Sequence, residues 1–202
     1  MDFEAVRDAY ATTSERYINL TDGDWSADDD DTDFVRQHLT GLSGPVLDLG
    51  CGPGHWTGYL HSLATEVTGV DLVPEFIAHA RANYPGPEFR LGSMTEVDVP
   101  DHSLAGVLSW CSTIHVPPPE LDLILANFRR LLASSGVLVI GFFDSDDDVA
   151  AFDHAVVTAY RWPVEVFVER LAQAGLTEVQ RLQQQFPQRP DRKYAAIAAR
   201  AS

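Results

Sequence analysis

The stretch Val46-Leu47-Asp48-Leu49-Gly50-Cys51-Gly52-Pro53-Gly54 constrains this chain more than any other. Its short apolar run reads as a buried strand, and the three glycines after it permit positive φ and let a ligand approach the backbone closely. A helical pattern from His55 to Ala64 follows at once, and a strand that turns through glycines into a helix opens a βαβ unit. The middle of the chain continues the series. Pro45 to Leu49, Glu66 to Val70, Glu88 to Leu91, Leu104 to Trp110 and Gly136 to Phe143 read as strands, with helices over His55 to Ala64, Pro74 to Asn83 and Pro118 to Ala133. Pro117 to Pro119 suits a helix start and Gly136 follows a helix end. Such an alternation requires a parallel sheet covered on both faces.

Two helical faces precede this core: Phe3, Val6, Tyr10, Tyr17 and Leu20, then Phe34, Val35, His38, Leu39 and Leu42. The acidic break between them, Asp28 to Asp31 and Asp33, reads as a solvated loop with carboxylates near a helix N-terminus. A calcium loop would alternate its ligands around a glycine, which this run does not. After residue 143 come helical patterns over Val149 to Tyr160 and Val164 to Ala174, the first capped by Asp144 to Asp148. Two β-like runs follow, Thr177 to Leu182 and Tyr194 to Ala199, joined by the segment Phe186 to Arg192, so the last strand pairs antiparallel. The expected architecture is one α/β domain over 1–202 with seven strands, mostly parallel, the last antiparallel. Residues 1–40 form a helical lid, 41–145 a cofactor-binding core, and 146–202 substrate-side helices with the final strand pair.

Charge narrows the partners. Asp plus Glu number 30 against 14 Lys plus Arg, a net charge of -16 that repels phosphate backbones and anionic lipid. No apolar run approaches the ~20 residues a bilayer requires, and Met1-Asp2-Phe3-Glu4 is acidic rather than a basic leader, so the expectation is a cytoplasmic protein that binds neither nucleic acid nor membrane. Two cysteines, Cys51 and Cys111, make neither a disulfide framework nor a zinc cage alone, and no metal is expected.

In an open parallel sheet the first βα turn lies at the carboxyl edge, near the switch point where ligands bind. The loop departs from the dinucleotide pattern G-x-G-x-x-G, because its third glycine comes one position early and His55 stands where that pattern has glycine. It is no P-loop either, for no Gly-Lys-Ser/Thr follows. Asp71, seventeen residues beyond Gly54 at the end of the second strand, is placed to accept two hydrogen bonds from a ribose diol. Together with Val46 to Leu60, Val70-Asp71-Leu72, Gly92-Ser93-Met94 and Leu104 to Phe143, these features resemble the class I S-adenosylmethionine-dependent methyltransferases, above all their small single-domain members that act on small molecules. The resemblance implies that Gly50, Cys51 and Gly52 contact the methionyl part of S-adenosylmethionine. It also implies that Asp71 holds the ribose hydroxyls and that Leu72, Ser93 and Met94 surround the adenine. Ser93 stands where that family commonly has Asp, which shifts the adenine contact toward stacking by Leu72 and Met94. Tyr17, Trp56 and Trp110 are the aromatic neighbours of the site, where a ring face favours a cation such as a sulfonium; Trp56 reads equally well as helix packing.

Methyl transfer needs an acceptor positioned near the methyl and, for some acceptors, a base. His115, just past the fourth strand, is the candidate base because imidazole titrates near neutrality, with a structural role as its alternative. His55, His61, His79, His102 and His154 read as solvated, and His38 as packing. Tyr160, Arg161 and Trp162 read either as the wall of an acceptor pocket with a guanidinium for an anionic group, or as a packed turn. The reading is methyl transfer to a small molecule, an oxygen acceptor placed ahead of nitrogen, sulfur or carbon. A protein that binds S-adenosylmethionine without methyl transfer and a nicotinamide oxidoreductase are the alternatives. The assembly state is left open.

Overall fold

The computed structural model describes residues 2–24, 29–186 and 189–202, so Asp28 of the acidic run and residues 187–188 of the expected link lie outside the described residues. Helices α1 (Phe3–Asp24) and α2 (Asp30–Leu39) come first. The alternating core follows: β1 (Val46–Leu49), α3 (His55–Ser62), β2 (Val67–Asp71), α4 (Pro74–Asn83), β3 (Glu88–Leu91), β4 (Leu104–Trp110), α5 (Pro118–Leu131) and β5 (Leu132–Asp144). The remainder is β6 (Ala150–Phe152), β7 (Ala159–Trp162), α6 (Val164–Gln173), β8 (Leu176–Phe186) and β9 (Arg189–Ala201).

Strands β3-β2-β1-β4-β5 run parallel, and β9 lies antiparallel against β5 with β8 on its outer side. The chain leaves β1 in one direction, toward β2 and β3, and returns to its other side with β4. That reversal puts the ends of β1 and β4 at the topological switch point. Every residue of β1 is buried, as a central parallel strand requires. Two apolar layers cover the sheet. On one face Leu121, Ile124, Leu125 and Phe128 of α5 pack with Phe167 and Leu171 of α6, Phe142 stacking on Phe167 at a 4.0 Å centroid distance. On the other, Phe34, Val35 and Leu39 of α2 and Leu60 of α3 meet Leu108, Val137 and Val139.

Three expectations require correction. Among the described residues the expected seven-stranded sheet has nine strands, because Val149 to Tyr160 is not helical: its ends form β6 and β7, an antiparallel pair. Phe143 and Asp144 of β5 pair with Tyr194 and Lys193 on one edge and with Arg161 and Trp162 on the other. Strand β7 therefore continues the lane in which β4 has ended. Tertiary pairing overrides the local apolar spacing here, aided by the β-branched Val156-Val157-Thr158, which disfavours a helix. Consequently Asp144 to Asp148 cap no helix; they form a turn in which the Ser145 hydroxyl donates to the Asp148 carbonyl and Lys193 pairs with Asp146. Lastly, the proposed lid divides physically. Helix α2, N-capped by Asp29 through a reciprocal capping box with Thr32, belongs to the core, whereas α1 shares a cavity with Gly50, Gly52 and Asp71 at the carboxyl edge of the sheet.

Candidate active site

The carboxyl ends of β1, β2, β3 and β4 deliver Gly50 to Gly54, Asp71 to Val73, Gly92 to Met94 and Trp110 to His115 to one edge. Backbone geometry explains the glycines. Gly50, Gly52 and Gly54 have φ of +82°, +54° and +102°, values that L side chains rarely adopt. A Cβ at Gly50 would sit 2.3 Å from Ser112 Cβ, and one at Gly54 2.8 Å from Ala80 Cβ. At Gly52 it would meet nothing within 4 Å, so this glycine faces open space.

Asp71 ties the loop to the end of β2. Its Oδ2 accepts from the Gly52 amide at 2.8 Å and its Oδ1 from the Val73 amide at 2.9 Å. A carboxylate has about four lone-pair sites, so acceptor capacity remains here for a further donor such as a ligand hydroxyl. Burial pushes the Asp71 carboxyl up to about 6, against the backbone N–H groups of Val73, Gly52 and Leu72 that hold it down. Two cavities meet at the loop, sharing Tyr17, Gly50, Gly52, Trp110 and Cys111. The first, about 670 Å³, runs between α1 and the sheet edge past Asp71, Leu72, Met94 and His115. The second, about 1020 Å³, is walled by Trp56 and by Asp29 and Asp31.

The expected site residues divide between these cavities. Gly50, Gly52, Asp71, Leu72, Met94, Trp110, Tyr17 and His115 line the first. Cys51 and Trp56 line the second, the Trp56 and Trp110 rings 4.8 Å apart. The Cys51 thiol is buried against Ile77, Ala80 and Phe89, and burial pushes it well above the ordinary thiol range, which leaves it un-nucleophilic at neutral pH. Ser93 turns aside, its hydroxyl 2.7 Å from that of Thr95. Tyr160, Arg161 and Trp162 are not brought to either cavity. Trp162 is 3% exposed, edge-on to Phe167 in the core, and Arg161 faces the acidic turn Asp144 to Asp148. The Tyr160 amide donates to the Ile114 carbonyl at 2.7 Å, which braces the chain beside His115.

His115 is 6% exposed and held at both ring nitrogens. Nδ1 lies 2.8 Å from the Thr158 carbonyl and Nε2 2.9 Å from the Tyr10 hydroxyl. A carbonyl only accepts, so Nδ1 carries the hydrogen, and in the neutral ring Nε2 accepts from Tyr10. Burial pulls the imidazole below its ordinary pKa, which favours that neutral form. His55, expected in solvent, is instead buried with Nε2 2.8 Å from Asp22 Oδ1, and His79 approaches the same carboxylate at 3.7 Å. His38 bonds Gln180 on β8.

Sequence reading missed three groups. Tyr10 and Arg7 enter the first cavity because α1 lies over it, a contact that no local pattern encodes. Asp48 carried a visible signal, an acid inside an apolar strand. It is 1% exposed, accepts from Thr57 Oγ1 at 2.6 Å, and burial pushes it up to about 7. Among the described residues, no group of three or more His, Cys, Asp or Glu side chains is placed to hold a metal ion, and no helix is long and apolar enough to cross a membrane.

Known proteins resemble this chain over the segments that form this edge. Residues 46–136 match the family model of a methyltransferase domain. The malonyl-[acyl-carrier protein] O-methyltransferase of Yersinia pestis is 26% identical over 144 residues, 69% of this chain and 50% of that protein. The trans-aconitate 2-methyltransferase of Escherichia coli is 38% identical over 84 residues, 41% of this chain and 26% of that protein. The chain thus spans half or less of the length of these curated relatives. Among solved structures, Burkholderia thailandensis 1,6-didemethyltoxoflavin-N1-methyltransferase, with 1,6-didemethyltoxoflavin and S-adenosylhomocysteine bound, superposes with a TM-score of 0.82 at 24% identity, covering 98% of this chain and 88% of that one. The glycine loop and the Asp71 carboxylate at the switch point both fall within residues 46–136, which match a methyltransferase domain, and the sheet that carries them has the fold of a solved S-adenosylhomocysteine-bound methyltransferase.

Proposed function

We propose that the protein transfers a methyl group from S-adenosylmethionine to a small-molecule acceptor. The observation that carries this reading is the pairing of Gly52, which faces open space, with the Asp71 carboxylate, which lines the same cavity. In this reading Asp71 holds the ribose, Leu72 and Met94 flank the adenine, and Gly50, Cys51 and Gly52 present backbone to the methionyl part. Tyr17, Trp56 and Trp110 supply ring faces near the sulfonium. Ser93, turned to Thr95, contributes turn geometry rather than a carboxylate. The sulfonium provides an electrophilic methyl group with a neutral thioether as leaving group. The chain's own task is to close α1 over the cavity, exclude water and orient the acceptor. His115, neutral with its Nε2 lone pair accepting from the Tyr10 hydroxyl beside the cavity, is suited to take up a proton. Tyr160, Arg161 and Trp162 act at one remove, fixing β7 and through it the carbonyl that orients His115.

The relatives named for O-methylation of malonyl-[acyl-carrier protein] and for trans-aconitate 2-methylation support acceptors of small or carrier-borne type, with oxygen kept first. A net charge of -16 supports a cytoplasmic protein that avoids nucleic acid and anionic membranes. A second reading is binding without methyl transfer, since a structure named for a different reaction, the [4+2]-cyclase SpnF, shares this fold. That structure superposes with a TM-score of 0.78 at 16% identity, so this fold alone does not specify the chemistry. Release of S-adenosylhomocysteine is the test, with small carboxylic acids, phenols and nitrogen heterocycles as acceptors. Acceptor-dependent release supports methyl transfer; tight S-adenosylmethionine binding with no release supports the second reading; binding of NADH instead of either ligand contradicts both.

A further inference from the structure

Tyr10 occupies a place that the methyltransfer reading leaves unused. It sits on α1, 105 residues from His115, yet its hydroxyl closes on Nε2 at 2.9 Å and its ring lines the cavity opposite Gly50 and Asp71. The ring is held on three sides, edge-on to Tyr17 at 5.4 Å, Phe76 at 5.9 Å and His115 at 5.6 Å. His115 therefore does not offer its lone pair to the cavity directly, because the Tyr10 hydroxyl covers it.

Resting on that reading, we propose that Tyr10 is the catalytic residue that meets the acceptor, and that it hands its own proton to His115 as it takes the acceptor's. The acceptor X–H bond breaks, and the electron pair on X forms the new bond to the methyl carbon. The methyl–sulfur bond breaks with its pair left on sulfur. One proton passes from X to Tyr10 Oη and one from Tyr10 Oη to His115 Nε2. A sulfonium charge is lost as an imidazolium charge appears, so the cavity carries one positive charge before and after. This exchange suits a buried pair. Desolvation holds the phenol well above its ordinary pKa and the imidazole below its own, so neither ionises alone, and the relay requires no tyrosinate. The charged and titratable groups facing the pair are few. Asp71 of β2 and Cys111 past β4 lie across the cavity, Tyr17 and Arg7 share α1 with Tyr10, and the His154 ring lies 5.3 Å from that of His115.

The test follows the His115 ring nitrogens by ¹⁵N NMR across pH, in complexes with S-adenosylmethionine and with S-adenosylhomocysteine, the signal assigned with His115→Gln. A unit charge within ~10 Å at an effective permittivity near 20 is worth about one pH unit, so His115 should titrate about one unit or more higher in the S-adenosylhomocysteine complex. Nδ1 should carry the hydrogen in both complexes, and Tyr10→Phe should move the Nε2 resonance by removing its donor. In turnover with the acceptor that establishes methyl transfer, Tyr10→Phe should lower kcat by ~10²- to 10⁴-fold, the range of general acid–base assistance. Equal titration in the two complexes, an Nε2–H tautomer, or an unchanged kcat in Tyr10→Phe overturns the relay while leaving methyl transfer intact. Failure of both ligands to bind in calorimetry removes the methyltransfer reading itself, and the relay with it.

Discussion

Replacing Gly50 by Ala separates two costs that the geometry makes calculable. A Cβ there would sit 2.3 Å from Ser112 Cβ, far inside contact distance, while the backbone keeps φ at +82°. Left-handed backbone costs a non-glycine residue about 1–2 kcal/mol, and an overpacked contact between two atoms held by backbone costs about 1–3 kcal/mol more. Gly50→Ala should therefore lower unfolding stability by about 2–5 kcal/mol. The second substitution, Ser112→Gly, removes the clashing carbon. It also removes the hydroxyl 2.7 Å from Ser109 Oγ, which by itself costs about 1 kcal/mol. In the double variant the steric part should vanish and the φ part remain. Urea unfolding of the four proteins then gives a coupling energy of about 1–3 kcal/mol in the favourable direction. A coupling energy indistinguishable from zero would show that Ser112 does not confine Gly50, and the close packing of the first and fourth strand ends would be refuted.

Gly52→Ala should behave differently. Nothing lies within 4 Å of its Cβ, so urea unfolding should show a loss of only about 1–2 kcal/mol, while calorimetry shows S-adenosylmethionine binding largely lost; tight binding in this variant would contradict the use of that open space. Removing residues 1–24 should leave a cooperatively folded core. Removing 1–40 also strips Phe34, Val35 and Leu39 from the core at about 1.5–3 kcal/mol each, and thermal unfolding should show no folded state. Asp48, raised to about 7 from an ordinary value of 3.8, makes the folded state bind a proton the unfolded chain has lost. Stability should fall as pH rises from about 4 to 7, and Asp48→Asn should flatten that slope in urea titrations; an unchanged slope would place the burden on another group.

The parallel core was legible because its physics is local. Apolar runs of four to seven residues, helix-starting prolines and glycines at forced backbone conformations each act within a few positions, and β1 to β5 emerged from them in order. Asp71 was legible for the same reason, being fixed by its distance from the glycine loop along a regular βαβ unit. What failed was set by contacts distant in sequence. Val149 to Tyr160 has helical spacing, yet β5 presents an open edge past Trp110 and the chain fills it. His55 looks solvated on a helix start until Asp22, at the end of α1, arrives beside it. Tyr10 meets His115 only because α1 crosses the sheet edge. Trp162 beside Arg161 suggested a pocket wall, but an indole on the inward side of β7 is drawn into the core by Phe167. Asp48 was the one missed residue with a local signature, since an acid in a fully apolar strand requires a partner.

The central claim is that the switch-point edge holds S-adenosylmethionine through Asp71. Isothermal calorimetry at pH 8, where a carboxyl titrating near 6 is ionised, tests it with the full chain and three proteins: wild type, Asp71→Asn and Asp71→Ala. Two charge-assisted hydrogen bonds to the ribose are worth about 2–4 kcal/mol, so Asp71→Ala should weaken S-adenosylhomocysteine binding roughly 30- to 1,000-fold, with Asp71→Asn between it and the wild type. Wild-type affinity in a folded Asp71→Ala protein would contradict the account.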